Sequence, residues 1–162
     1  MKICGIVGLK NSGKTYLLQE LIKYFIKKNY RVASIKHAHH SFDIDKPNTD
    51  SFFHRKAGSQ QVIVSSSERW AKITELLGSN EKTLNQLIKE LEETDIVLVE
   101  GFKNESHFKF EVINNSIDIK KYLFPKLTNI IGIVSDIKIE TEIKQFKRNN
   151  IQKKAEHILK NC

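Results

Sequence analysis

Short apolar runs alternate along this chain with longer stretches in which apolar residues recur at helical spacing. A continuous apolar run is typical of a strand that is covered on both faces of a sheet. Five such strands are predicted, at residues 3–7, 31–35, 61–65, 95–100 and 130–134. We therefore expect a sheet whose strands are mostly buried.

The stretches with helical spacing lie between these strands. An apolar face predicts a helix over residues 15–28, and similar spacing predicts helices at residues 84–91 and 151–159. Strands separated by helices need crossover connections, which produce a mainly parallel sheet. No linker or repeat divides the chain, and its length suits one core. We therefore predict a single domain over residues 1–162.

Residues 108–113 differ from the other strands because apolar and charged residues alternate there. Alternation is typical of a strand with one face in solvent, so we predict an edge strand that is available for pairing with a second copy. The predicted fold class is α/β: a three-layer sandwich with a mainly parallel sheet flanked by helices, and with an antiparallel edge strand or hairpin.

A glycine-rich loop follows the first predicted strand and precedes the first helix. Its sequence, Gly8-Leu9-Lys10-Asn11-Ser12-Gly13-Lys14-Thr15, fits G-x-x-x-x-G-K-[ST] at every specified position. Backbone N–H groups in such a loop point at phosphate oxygens, and the helix N-terminus adds its unpaired donors. Lys14 is predicted to contact the β and γ phosphates and Thr15 to hold Mg²⁺. The loop thus predicts a P-loop NTPase-like fold, with nucleotide binding by Gly8, Lys10, Asn11, Ser12, Gly13, Lys14 and Thr15.

Two acidic residues lie where predicted strands end. Glu100 ends the strand at residues 95–100, where a carboxylate can bind Mg²⁺ or orient an attacking water. Asp136 follows the strand at residues 130–134, where a carboxylate can contact guanine N1 and N2. A solvated strand end is the alternative explanation for each of them. The residues alone therefore predict a purine nucleoside triphosphate and leave the base open.

The polar segment at residues 37–59 is too long for a simple connection, and long loops are usually functional or mobile. Its first residues include His37, His39 and His40. Imidazole is a good ligand for transition metals, but adjacent histidines share one metal poorly and no cysteine lies nearby. A loop that faces the phosphate site is therefore the favoured hypothesis, and a solvated loop is the alternative.

Charged residues in the same segment fit that hypothesis. Asp43, Asp45 or Asp50 is predicted to contact Mg²⁺ or its waters. Arg55 and Lys56, on a predicted helical turn, are candidates for phosphate contacts or for solvated surface. The sequence does not choose between these roles.

The chain carries 27 Lys and Arg against 19 Asp and Glu, a formal net charge of +8. Such an excess favours polyanionic partners without selecting one. Basic residues are spread over predicted helix faces without aromatic interleaving, so we expect no nucleic-acid binding; examples are Lys147, Arg148, Lys153 and Lys154. No apolar run is long enough to span a membrane, and Cys4 and Cys162 have no disulfide or zinc spacing. We expect a cytoplasmic protein with reduced thiols that does not bind membranes.

These motifs together resemble one family, the molybdopterin-guanine dinucleotide biosynthesis adapter proteins (MobB). The resemblance begins with residues 8–15 and the run Lys36-His37-Ala38-His39-His40. It continues with Arg55-Lys56-Ala57-Gly58 and with Val99-Glu100-Gly101-Phe102-Lys103. Their order extends over nearly the whole chain and is more specific than the glycine-rich loop alone.

The resemblance implies a P-loop α/β fold, Mg²⁺-dependent GTP binding and at most weak GTP hydrolysis. It also implies a homodimer that assists the guanylyltransferase attaching GMP to molybdopterin. It suggests roles near the metal for Asp50 and Glu100 beside Thr15, and the predicted catalytic residues are Lys14, Asp50 and Glu100. Base recognition by Asp136 is an extrapolation. Whether molybdopterin itself binds, and on which surface the partner docks, stays open.

A small-molecule kinase that uses the same loop is the alternative function. Its acceptor would bind at residues 37–55, with Asp43 or Asp50 as the base. Kinases of this kind usually carry an arginine-rich lid, and no such cluster follows Glu100. The GTP-binding adapter is therefore the favoured hypothesis.

Overall fold

The computed structural model describes residues 1–38, 41–114 and 119–162, so His39 and His40 lie outside the described residues. The strands within these ranges are β1 (Lys2–Val7), β2 (Val32–Lys36), β3 (Gln61–Ser65), β4 (Trp70–Thr74), β5 (Ile96–Glu100), β6 (Lys109–Val112), β7 (Ile130–Val134) and β8 (Gln145–Phe146). The α-helices are α1 (Lys14–Lys27), α2 (Asp50–Lys56), α3 (Leu84–Ile88) and α4 (Ile151–Asn161). All five strands and all three helices predicted from apolar patterns are present.

The chain forms two compact units. The larger one combines Met1–His37 with Leu84–Cys162, and the smaller one is Ala38–Thr83. The larger unit contains the glycine-rich loop, Glu100 and Asp136, whereas Asp43, Asp45 and Asp50 belong to the smaller unit. The predicted single domain over residues 1–162 stays a prediction.

The larger unit is built on a six-stranded sheet in the order β2-β5-β1-β6-β7-β8. Every neighbouring pair is parallel, as crossover connections require. On one face, Cys4 and Ile6 of β1 share a buried cluster with Phe25 of α1 and Ile158 of α4. Cys4 and Cys162 are free thiols. The two long helices therefore cover this face.

The opposite face is covered by shorter elements. Val97 and Val99 of β5 pack with Leu84 of α3, while Val7 and Ile133 pack with Tyr122 from the segment after a short 3₁₀ helix, Ile119–Lys121. The fold-class prediction of a mainly parallel sheet flanked by helices is thus confirmed. Among the helices in the described ranges, none combines the length and apolar character needed to cross a membrane.

Strand β6 is not at an edge, and the edge-strand prediction for residues 108–113 is wrong. It lies between β1 and β7, with Lys109 and Glu111 almost fully buried. The Lys109 ammonium donates to the carbonyls of Glu105 and His107. Glu111 accepts hydrogen bonds from the backbone N–H groups of two residues, Leu123 at 2.8 Å and Phe124 at 2.7 Å. The charged positions therefore hold covering loops rather than facing solvent.

Burial changes the titration of both side chains in β6. It lowers the pKa of Lys109, with Glu105 and Cys4 acting in the opposite direction. It raises the pKa of Glu111, although the two backbone N–H groups oppose this shift. Each group thus bears a desolvation cost that its hydrogen bonds offset.

The smaller unit contains the antiparallel hairpin. Strand β3 pairs with β4 from Gln61 opposite Thr74 to Ser65 opposite Trp70. Three large apolar side chains on this hairpin are exposed: Ile63 at 65%, Val64 at 48% and Trp70 at 60%. Because side chains alternate along a strand, Ile63 and Trp70 share one face of the hairpin and Val64 lies on the other.

Candidate functional site

The glycine loop, residues 8–15, connects β1 to α1 with three residues at positive φ. These are Gly8 at 147°, Asn11 at 60° and Gly13 at 97°. Glycine adopts such angles without steric cost, and asparagine tolerates them better than most residues. Steric contact also requires glycine at position 8, because a Cβ there would lie 2.5 Å from the carbonyl oxygen of Val112. Turns of this kind form concavities lined by backbone N–H groups.

Helix α1 begins at Lys14, within the last two residues of the loop, and it has no side-chain cap. Gly13 occupies the N-cap position, and the first helical turn contains no acidic residue. The first N–H groups of a helix have no partner inside the helix, and they carry the positive end of its dipole. This end of α1 is therefore suited to an anion.

The polar groups of two side chains in the loop, Lys14 and Ser12, lie in unusual surroundings. The Lys14 ammonium donates to the carbonyl of Leu9 at 2.7 Å, and its pKa is lowered mainly by burial, with Glu100 opposing and Lys36 reinforcing the shift. The Ser12 hydroxyl is buried and has no hydrogen-bond partner within the described part of the chain. A buried hydroxyl without a partner is costly, which is consistent with a group kept for a ligand.

Glu100 lies beside Thr15 because β5 pairs with β1. The register places Glu100 opposite Ile6, and the Thr15 hydroxyl donates to the Glu100 carboxylate at 3.5 Å. Hydroxyl, carboxylate and water oxygens are the ligands that Mg²⁺ prefers. Of the three predicted metal ligands, the structure thus brings Thr15 and Glu100 together.

The turn after Glu100 accounts for the Glu-Gly-Phe sequence. Gly101 and Phe102 both have positive φ, 95° and 47°. A Cβ at Gly101 would lie 2.7 Å from the Cβ of His37, and the His37 ring stacks on Phe102 with the ring centroids 4.6 Å apart. The backbone N–H of His37 also donates to the Glu100 carbonyl at 2.9 Å. His37 therefore supports the end of β5 that carries Glu100.

Asp136 lies just beyond the end of β7, and its side chain is half exposed. It forms an ion pair with Arg148, with 3.1 Å between Arg148 Nε and Asp136 Oδ2. Arg148 also donates to the carbonyl of Ser12 in the glycine loop at 2.9 Å. The amide of Asn114 donates to the carbonyl of Asn11 at 3.1 Å. Residues from the ends of β6, β7 and β8 thus surround the loop.

The smaller unit pairs its charges internally. Arg55 donates to Asp43 at 2.9 Å, to Asp45 at 3.2 Å and to Glu75 at 2.8 Å. The Ser51 hydroxyl donates to Asp45 at 2.8 Å. We call these five residues the Arg55 network. The network gives Arg55, Asp43 and Asp45 structural partners.

Asp50 is the first residue of α2, and its side chain is exposed. It belongs to the smaller unit, whereas Thr15 and Glu100 belong to the larger one. Its predicted metal and catalytic roles stay predictions. Across the part of the chain that the structure describes, no group of three or more His, Cys, Asp or Glu side chains is arranged to hold a metal ion.

Sequence reasoning missed Arg148 and Lys154, which it assigned to solvent-facing helix surface. Lys154 is fully buried and donates to the carbonyls of Lys147 at 2.8 Å and Arg148 at 3.1 Å. Its position between Ile151 and Ala155 on the apolar stripe of α4 was a usable signal. Arg148 has no such signal, because its partner Ser12 lies 136 residues away.

Comparison with known proteins gives a consistent result. The sequence model of the family described as "Molybdopterin guanine dinucleotide synthesis protein B" matches residues 3–136. The Escherichia coli (strain K12) molybdopterin-guanine dinucleotide biosynthesis adapter protein is 33% identical over 150 residues, which cover 91% of this chain and 86% of that protein. The Haemophilus influenzae protein of the same name is 45% identical over 105 residues, covering 64% of this chain and 58% of that protein.

Solved structures show the same fold. A MobB protein homolog from Bacillus stearothermophilus superposes with a TM-score of 0.76 at 18% identity, covering 99% of this chain and 100% of that one. Bacillus subtilis MobB superposes with a TM-score of 0.77 at 19% identity, covering 99% of this chain and 97% of that one. The likeness establishes the P-loop NTPase-like fold that the glycine loop predicts.

Proposed function

The chain belongs to the molybdopterin guanine dinucleotide synthesis protein B (MobB) family, whose members act in molybdopterin-guanine dinucleotide biosynthesis, and we propose that it is a Mg²⁺-dependent GTP-binding adapter of that synthesis. It assists the guanylyltransferase that attaches GMP to molybdopterin, and it hydrolyses GTP weakly. The observation that carries the proposal is the glycine loop, which combines an uncapped helix N-terminus with Lys14 and a nearby Thr15–Glu100 pair.

The proposed triphosphate site uses the whole loop. The backbone N–H groups of Gly8, Lys10, Asn11, Gly13, Lys14 and Thr15 donate to phosphate oxygens. The Ser12 N–H, which donates to the Leu9 carbonyl at 3.2 Å, exchanges that partner for a phosphate oxygen. The Lys14 ammonium exchanges the Leu9 carbonyl for a phosphate oxygen, which offsets the desolvation that lowers its pKa. Binding of an anion thus supplies hydrogen-bond acceptors for the backbone N–H groups of the loop and for the Lys14 ammonium.

Thr15 and Glu100 fit a magnesium ion. Both supply hard oxygen ligands, and their oxygens lie 3.5 Å apart. Asp50 is proposed as a third contributor and the second acidic one. Mg²⁺ held there would neutralise phosphate charge, and Glu100 would orient the attacking water. Slow hydrolysis is expected because Arg148 and Arg55 are already engaged by carboxylates and do not act as an arginine finger. Arg148 pairs with Asp136, and Arg55 pairs with three carboxylates.

Asp136 is proposed to recognise guanine. Its carboxylate is half exposed despite the ion pair with Arg148, so its exposed side can still accept hydrogen bonds from N1 and N2 of a guanine ring. Adenine offers no such pair of donors. Preference for GTP over ATP is therefore expected.

The proposed partners are the guanylyltransferase, a second copy of this chain and, through the enzyme, molybdopterin. Curated relatives carry the name of adapter proteins, which supports the enzyme partner. The exposed side chains of Ile63 and Trp70, which share one face of the β3–β4 hairpin, support a homodimer, because packing against a second copy would remove both of them from water. Sedimentation of wild type and Ile63→Asp measures this directly, and a monomeric wild type at micromolar concentration contradicts it.

Titration of GTP and ATP in the presence of Mg²⁺ tests the central proposal. Wild type is expected to bind GTP more tightly than ATP. Lys14→Ala should lose affinity by at least about 100-fold, the scale of a lost charge-assisted phosphate contact. Lys27→Ala is the matched control, since Lys27 lies in the last turn of α1, and it should leave the affinity unchanged.

Three results would count against the proposal. Binding of ATP without GTP contradicts the adapter assignment. Equal affinities of Lys14→Ala and wild type contradict the phosphate site. Transfer of a phosphoryl group to an added small acceptor instead supports the kinase alternative.

A further inference from the structure

Arg148 joins three strand ends around the glycine loop. It lies between β8 and α4, and its Nη1 donates to the Ser12 carbonyl at 2.9 Å. Its Nη2 donates to the Ile113 carbonyl at 2.6 Å, just after β6. Its Nε and its backbone N–H both contact Asp136, at 3.1 Å and 3.3 Å. One side chain thus connects the loop to the segments after β6 and β7.

The guanidinium is suited to this position because it is planar and presents its donors in a fixed fork. With three nitrogens engaged by separate segments, its plane has little freedom to turn. Its backbone is also held, because the buried Lys154 ammonium donates to the Lys147 and Arg148 carbonyls. Arg148 is therefore a rigid support rather than a mobile cation.

The contact at Ser12 determines how one peptide of the loop is oriented. In a trans peptide the C=O and the following N–H point in opposite directions, and the structure contains no cis peptide among the described residues. Holding the Ser12 carbonyl toward Arg148 therefore directs the Gly13 N–H away from it. A Cβ at Gly13 would lie 2.5 Å from Arg148 Nη1, so glycine at this position also makes the contact possible.

We infer that Arg148 and Asp136 form a positioning pair, in which Asp136 orients Arg148 and Arg148 fixes the Ser12–Gly13 peptide of the glycine loop for phosphate binding. Asp136 then affects the phosphate end of the ligand as well as any base. The inference rests on the proposed nucleotide function, and it adds two residues that act through the loop. It assigns Arg148 a role other than a direct phosphate ligand.

Inorganic triphosphate with Mg²⁺ is the decisive probe because it has no base. Asp136→Asn is nearly isosteric and should preserve the fold, yet it should weaken triphosphate binding by about fivefold or more, since it removes a charge-assisted contact. Arg148→Met should weaken it more strongly. The double variant should match Arg148→Met, because residues that act through one contact are not additive.

Controls of matched charge come from the same region. Glu140→Gln and Lys147→Ala change exposed side chains, and neither should alter triphosphate affinity. Arg148→Lys keeps the charge without the fork and should recover only part of the loss. If Asp136→Asn weakens GTP binding and leaves triphosphate binding unchanged, Asp136 contacts the base alone and the positioning pair is wrong.

Hydrogen exchange of the ligand-free protein separates this inference from the proposed function. The amides of residues 11–14 should exchange faster in both Asp136→Asn and Arg148→Met than in wild type. If wild type binds no nucleotide, the proposed function is contradicted. Faster exchange in the two variants supports the positioning pair even in that case. Unchanged exchange in both variants overturns the positioning pair whether or not nucleotide binds.

Discussion

The glycine loop and the Arg55 network are both polar segments with charged residues, and they differ in how completely their groups are paired. In the Arg55 network, one guanidinium contacts Asp43, Asp45 and Glu75, and Ser51 completes the contacts of Asp45. In the glycine loop, the Ser12 hydroxyl is buried without a partner in the described residues, and the helix that follows has no side-chain cap.

This difference separates a structural polar cluster from a binding site. A satisfied network stabilises the segment that contains it, and its groups would have to break existing contacts to meet a ligand. Groups without partners carry a cost in the free protein that a ligand can remove. Substitutions in the first region should therefore change stability, and substitutions in the second should change affinity.

The largest expected effect on stability comes from Arg55→Ala. It leaves three carboxylates together without their cation, and the Asp45 side chain is only 7% exposed. Breaking a largely buried ion pair is strongly destabilising, so the opening equilibrium of residues 38–83 should rise by about 100-fold. Amide hydrogen exchange resolved along the chain measures it.

Two lysine variants sharpen this test. Lys56→Ala removes a neighbouring cation that lies over the Phe52 ring, 5.5 Å from the centroid, and its effect should be small. Lys14→Ala removes the cation of the glycine loop and should leave the exchange of both units close to wild type. A loss of stability in Lys14→Ala as large as in Arg55→Ala would remove the distinction between the two regions.

Two Ser→Ala substitutions, one in each region, should have smaller effects on the free energy of unfolding, and these two effects should have opposite signs. Ser12→Ala deletes a buried hydroxyl without a partner and should raise the free energy of unfolding by up to about 1 kcal/mol, while weakening nucleotide binding severalfold. Ser51→Ala deletes a hydroxyl that donates to Asp45 and should lower the free energy of unfolding by about 1 kcal/mol. Urea denaturation compares the two; destabilisation by Ser12→Ala would show that its hydroxyl is paired in solution.

The smallest expected effect is a dependence on pH. The Asp45 N–H and the Arg55 guanidinium hold the pKa of Asp43 below its ordinary 3.8. A lowered carboxyl pKa contributes stability above pH 3.8 that is lost as the pH falls through the folded-state pKa. Denaturation measured from about pH 5 down to about pH 2 should show a smaller loss of stability in Asp43→Asn than in wild type, because Asp95, whose pKa is lowered to about 2, contributes its own loss in both proteins. Identical profiles would argue against the contacts at Asp43.

Much of the larger unit could be predicted from the sequence because its signals are local. Continuous apolar runs identify β1, β5 and β7, since each strand is covered on both faces. The glycine loop follows from residue types at fixed spacing, and parallel topology follows from the alternation of strands and helices. The position of Glu100 beside Thr15 then results from the pairing of β1 with β5.

The remaining features depend on contacts between distant segments. Apolar and charged residues alternate in β6. A strand with one face in solvent and a strand whose charged residues bind loops both produce this sequence pattern. Arg148 meets Ser12 only after the whole sheet has formed, so no local pattern marks it. Strand β4 was not predicted because its side chains are largely exposed, which removes the periodicity that burial imposes.

The charges buried in β6 also matter before the chain has folded. Segments with high β propensity, high hydrophobicity and no charge are the ones that associate into intermolecular sheets while they are transiently exposed. Strands β5 and β7 contain such runs. By contrast, Lys109 and Glu111 alternate through β6, where stacking of identical copies would bring like charges together. The residues that hold two loops in the native state therefore also make β6 a poor template for aggregation.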